Sequence, residues 1–150
     1  MNQAILLGHV FFGVACIVAT VWIFVDTLHA SEANLGRIRK VCLASAAAMW
    51  AAFFLAGYWY VVDYAADRAA ILKGPWPFAH SIFMETKEHL VIMLLLTVSY
   101  LPIAASADLV KDKGSRRVLL WATGIAALTA LLMDGEGGII AYGVKMAAHF

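Results

Sequence analysis

Histidine and carboxylate side chains stand inside stretches of this sequence that are otherwise apolar, and those are the residues that could do chemistry. His9 lies near the start of one apolar run and His89 near the start of another, with Glu85 four residues before it. Asp134 and Glu136 interrupt a further run, alternating with Gly135, Gly137 and Gly138. Neutral imidazole binds iron, copper and zinc, and carboxylates bind ions or carry protons. An ionisable group in an apolar setting is costly unless it meets a partner or a wet cavity, so each marks a functional candidate.

The elements that must position these groups are long. The sequence is 63% hydrophobic and only 14% charged. Its polar residues gather in short stretches between apolar runs, as expected where lipid is the solvent. The runs cover about 4–25, 41–62, 83–105 and 118–140. About 20 residues of helix cross a 30 Å hydrocarbon core, and without water only helices satisfy the backbone. The expectation is an all-α integral membrane four-helix up-down bundle in one domain, 1–150. The first run lacks a basic leading segment and a cleavage pattern, so it reads as a retained helix.

Orientation is read from the loop cations. Arg37, Arg39 and Lys40 follow the first span, and Lys111, Lys113, Arg116 and Arg117 follow the third. The other face carries Arg68, Lys73, Lys87 and Lys145. Seven cations against four predict that both loops face the cytoplasm of a bacterial-type inner membrane and both termini lie outside. Trp59, Tyr60, Tyr64 and Trp76 then form an aromatic belt at the outer interface, with Trp22 near the inner one.

Depth brings the candidates together. His9 and His89 each lie about six residues into their helices from the outer side, roughly 9 Å deep by helix rise. Helices one and three of an up-down bundle are diagonal. Two imidazoles at one level can then face each other across the core and hold an iron between them, which suits a b-type haem. His9, Gly13, Cys16 and Thr20 form one stripe of small or polar residues, and Gly13 leaves space beside His9 for a macrocycle. Tyr60 lines the same level and can donate a hydrogen bond. Glu85 and Glu136 are the acids expected to point into the site. Lys87 and Glu88 read as an interfacial cap, with Lys87 snorkelling outward. The Asp134–Gly138 segment either ends the fourth helix as a solvated turn or continues it. The stretch Lys73–His80, with two prolines, is expected to form an ordered lid that includes His80. Cys16 and Cys42 read as buried small hydrophobes.

These residues predict a membrane-bound electron-transfer protein with haem b ligated by His9 and His89, partnered by a quinone or a redox protein. An alternative uses His9, His89, Glu85 and Glu136 for copper, iron or zinc. A third is proton or small-solute transport, or an accessory role in a homo-oligomer or larger membrane complex. A net charge of +1 gives no reason to expect a nucleic-acid partner.

Overall fold

The computed structural model describes residues 3–149 and is helical from end to end. Helix α1 spans Gln3–Leu28, α2 Leu35–Val62, α3 Tyr64–Lys73, α4 Glu85–Ala104 and α5 Lys113–Ala147, and a π-helical turn, Ala79–Met84, runs directly into α4. Four helical segments are long and apolar enough to cross a membrane: Gln3–Leu28, Leu35–Val62, Ala79–Ala104 and Lys113–Ala147. The chain is an integral membrane helical bundle. Its two ends share one face, the termini face, and the α1–α2 and α4–α5 turns share the opposite loop face.

Helices α1 and α4 both pack against α2 and α5, and among the described residues α1 and α4 make no contact with each other. They are the diagonal pair that a simple up-down order requires. Small residues set the approach of α5, which buries Ala126, Ala127 and Ala130. Without a hydrophobic force between lipid-bathed helices, close backbone approach of this kind supplies the packing. Cys16, Ile23, Ile38, Cys42, Leu94 and Val98 lie in the same core.

The loop face is tied by arginines. Arg39 donates from Nε to the Ala105 carbonyl at 3.0 Å, where α4 ends. Arg116 donates from Nε to the Thr27 carbonyl at 2.9 Å and also to that of Leu28, where α1 ends. Helix C-termini carry unpaired carbonyls and negative potential, so a guanidinium fork suits them. Arg37 pairs with Asp26 through two bonds of 2.7 and 2.8 Å.

At the termini face the structure departs from the expected spans. The fourth helix does not stop at Asp134–Gly138; it runs on to Ala147. Its 35 residues make about 52 Å by helix rise, far more than a hydrocarbon core needs. The excess is buried by a second small core of Tyr64, Ile71, Ala79, Met84 and Ile140. The stretch read as a loop from Asp63 to Ile82 is therefore mostly helical, and it caps the bundle. Tyr64, expected in an aromatic belt, is only 2% exposed at the centre of this cap. Two glycines permit the fit: a Cβ on Gly143 would lie 2.7 Å from that of Ala79, and one on Gly74 would lie 2.9 Å from that of Ala147.

Candidate functional site

The inward face of α4 is the stripe Lys87, Val91, Leu94, Val98 and Leu101, of which the last three are buried. Lys87 is thus turned into the bundle, not outward along its surface as a snorkelling cap residue would be. Its ammonium meets α5 at Gly137, where a Cβ would stand 2.8 Å from Nζ. A glycine in a helix costs stability, and here it provides room for that ammonium. Asp134 and Glu136 lie on α5 within one turn of Gly137, Asp134 exposed and Glu136 half-buried, and His9 is half-buried in α1. Three helices thus carry His9, Lys87 and Glu136 near the termini end of the bundle, with Asp134 on the exposed side of α5. The glycine-rich run that looked like a break in the fourth helix is one wall of the site.

His9 is half-buried, and its Nδ1 donates to the Ala52 carbonyl on α2 at 2.9 Å. A carbonyl accepts only, so the proton sits on Nδ1, and Nε2 of the neutral ring is left with its lone pair. The bond also joins α1 to α2, as polar side chains do between membrane helices. Gly13, one turn along, has nothing within 4 Å of its would-be Cβ. Cys16 and Thr20 continue the expected inward stripe and are buried.

Glu136 is half-buried, and its Oε2 is enclosed with no hydrogen-bond partner. The same holds for Oε1 of Glu88 and for Nε1 of Trp59. Glu88, one residue on from Lys87, turns to the other side of α4, toward Tyr60 and Tyr64. It is not the solvated helix cap that its position suggested. Burial, reinforced by Tyr60 and Glu88, pushes the Tyr64 phenol up to about 12, so it stays a neutral hydroxyl. Buried polar atoms are nearly always satisfied in folded proteins, so these three mark where a proton, a water or a ligand completes the structure.

His89 lies elsewhere. It is exposed on the outward stripe of α4 with Ile92, Met93, Leu96 and Tyr100. Its Nδ1 is tied to the Glu85 carbonyl at 2.6 Å, and with Glu85 it lines a shallow open concavity with Ser81, Ile82, Thr86 and Leu90. The structure does not bring His89 together with His9, because their helices are diagonal and one ring faces outward. A haem held between these two imidazoles does not fit a single bundle. Tyr60 is 40% exposed beside Glu88. Among the described residues no three His, Cys, Asp or Glu side chains are gathered tightly enough to hold an ion.

The cap holds a further cluster. His80 is 4% exposed; Arg68 Nε donates to its Nε2 at 2.7 Å, and its Nδ1 lies 3.0 Å from the Tyr64 hydroxyl. An arginine only donates, so Nε2 is the acceptor and the Nδ1 proton is donated to Tyr64. Glu85 Oε1 stands 3.7 Å from the same Nε2. Sequence reasoning placed His80 in an ordered lid, and the ordered cap is there. It did not single out Arg68, which carries no signal in the sequence. Lys87 shares a stripe with Val91, Leu94 and Val98, but Glu85, His89, Ile92 and Leu96 repeat as regularly, so spacing alone did not single it out.

No protein-family model, no curated protein and no solved structure matches this chain.

Proposed function

We propose that this protein is a membrane redox subunit that binds a quinone-class ring beside His9, Lys87, Asp134 and Glu136 and exchanges its protons at the termini face. The observation that carries this reading is the enclosed Oε2 of Glu136 without a hydrogen-bond partner, on the helix that the half-buried Lys87 ammonium meets at Gly137. A quinone presents two carbonyl acceptors, and its quinol form two hydroxyl donors. The Lys87 ammonium supplies donors for the first state, and the Glu136 carboxylate an acceptor for the second. Proton traffic is one-sided in this reading. Among the described residues, the buried hydroxyls of Thr20 and Thr123, deeper in the bundle, bond to their own helix backbones, and Ser45 pairs with Cys16. The excess of cations in the loops favours a termini face outside the cytoplasm, and in this reading the protons are exchanged there.

Titrating the detergent-purified protein with a short-chain quinone tests this, read by quenching of tryptophan fluorescence. Saturable binding is expected, weakened about tenfold or more in Lys87→Met and in Glu136→Gln, the loss of one charge-assisted hydrogen bond. Absence of saturable binding, or binding indifferent to both substitutions, overturns the proposal.

A second reading keeps a haem b, or an iron, copper or zinc ion, on His9. Its support is the Nδ1 bond to Ala52, because a metal-bound imidazole characteristically donates its other nitrogen to such an acceptor. A Soret band with a sharp band on reduction, lost in His9→Ala, is its signature.

A further inference from the structure

Among the described residues His80 is the one buried histidine, and it sits in the π-helical turn where the cap joins α4. Its ring fastens that turn to α3 at two points. Nδ1 donates to the Tyr64 hydroxyl at 3.0 Å, and Nε2 accepts from Arg68 Nε at 2.7 Å. Tyr64 and Arg68 are one turn apart and share a face of α3. The two bonds differ in kind. A neutral imidazole has one acceptor nitrogen, and a protonated one has none, because both nitrogens then donate. The Nδ1 bond is made in either state, but the Arg68 bond needs the neutral ring. A proton at Nε2 turns an N–H toward the guanidinium and sets cation against cation where His80 is only 4% exposed.

The surroundings provide for the charged ring. Glu85 Oε1 stands 3.7 Å from the same Nε2, on an exposed side chain that can move closer. Arg68 is exposed too and can turn into solvent. Three elements pack on the turn. From α3 come Tyr64 and Arg68, with the half-buried Asp67 next to Arg68 in sequence. From α4 comes Glu85, while Glu88 turns toward Tyr60 and Tyr64. From α5 come Ile140, Gly143 and Val144, between the half-buried Glu136 and the exposed Lys145, with Tyr142 against Trp76. Burial raises the Asp67 carboxyl above its ordinary value, so it is a second group near the ring that takes up a proton on acidification.

We propose that His80 is an acid-sensitive latch on the cap: the neutral ring locks Arg68 and so α3 to the π turn, and protonation at Nε2 trades Arg68 for Glu85 and loosens α3. The Tyr64 bond survives the trade, so the cap stays attached at the start of α3 and gains freedom toward Lys73. The latch holds in neutral solution and opens as pH falls, because its bond belongs to the unprotonated ring. Its signal is the proton concentration at the termini face, and it does not rest on the quinone-class reading.

A nitroxide label on Ala66→Cys, an exposed position of α3, reports the latch by paramagnetic resonance in the full chain in detergent; Cys16 and Cys42 are buried and escape the reagent. The ratio of mobile to immobile label should rise about tenfold between about pH 8 and about pH 5, the range in which histidines titrate and the effect of one lost charge-assisted hydrogen bond. Arg68→Ala should be mobile at both ends of that range. Glu85→Gln should move the transition to lower pH, because the charged ring loses its carboxylate. Asp67→Asn should leave the transition in place. His80→Gln, whose amide accepts from Arg68 and donates to Tyr64 without titrating, should stay immobile throughout. Arg68→Ala and Glu85→Gln alter exposed side chains and keep the fold, so they decide the matter if His80→Gln does not fold. A label equally immobile across the range overturns the proposal. So does a transition that Asp67→Asn abolishes, that Glu85→Gln leaves unmoved, or that persists in Arg68→Ala.

Discussion

Replacing Arg116 by alanine separates the bundle's packing from its end-tying. Arg116 joins α5 to the last carbonyls of α1, those of Thr27 and Leu28, across 89 and 88 residues of chain. Both carbonyls lie in the last turn of α1, where helix geometry frees acceptors, and that of Thr27 also accepts from the Ala30 amide at 3.3 Å. A hydrogen bond to a charged group contributes roughly 1.5–3 kcal/mol, and a cation at the negative helix end adds about 0.3–1 kcal/mol. Arg116 is half-buried at an aqueous boundary, which screens both effects, so a total loss of about 2 kcal/mol is expected. A domain of this size shifts its midpoint by roughly 2–4 °C per kcal/mol. Arg116→Ala should therefore melt about 4–8 °C below the wild type in one detergent at one protein concentration. The neighbouring Arg117 is exposed and makes no such bond, so Arg117→Ala is the matched control and should stay within about 1 °C. Arg116→Lys should recover only part of the loss, because an ammonium lacks the planar fork that reaches two carbonyls. Equal melting of the Arg116→Ala and Arg117→Ala variants would refute the argument that a fixed guanidinium ties α1 to α5.

Two glycines of α5 should respond to alanine with opposite signs. At Gly135 nothing lies within 4 Å of the new methyl, so Gly135→Ala should stabilise the helix by roughly 0.5–1 kcal/mol. At Gly143 the methyl meets the Ala79 Cβ at 2.7 Å, an atom fixed to the π-turn backbone, and overpacking of about 1–3 kcal/mol should outweigh the propensity gain. Midpoints of denaturant melts on both variants check the signs, and equal signs would sink the close-approach account. Asp112 caps α5, with its side chain accepting from the Gly114 amide at 2.8 Å, and the bond from the Ser115 hydroxyl holds its carboxyl below the usual range. Its stabilisation is therefore present above the unfolded carboxylate pKa and lost as pH falls through the lower folded value. The stability gap between wild type and Asp112→Ala should be constant near neutrality and close in acid; a gap that widens in acid would contradict it.

Much of the scaffold was legible in the residues alone. Four apolar runs of spanning length, separated by polar stretches, leave the backbone no option but helices in lipid, and an up-down order leaves α1 and α4 diagonal. The Cys16–Thr20 stripe turned inward as its spacing indicated. The direction in which the ionisable residues of α4 point was not legible. In a soluble helix the apolar side faces the core, but a helix bathed in lipid is apolar all round, so the pattern does not say which face is inside. Glu85, His89, Ile92 and Leu96 repeat as regularly as Lys87, Val91, Leu94 and Val98, and only packing against α2 and α5 chose the second set. Composition likewise misjudged Asp134–Gly138. Glycines and acids oppose an isolated helix, but Gly137 accommodates the Lys87 ammonium and the end of α5 is buried by the cap, so tertiary contacts carry the helix on to Ala147. What the sequence determined by itself was which segments are long and apolar enough to cross the membrane, because lipid imposes that locally. Which charges meet depended on helix rotation and on the cap folded from 64–84, and both are set by contacts between residues far apart in the chain.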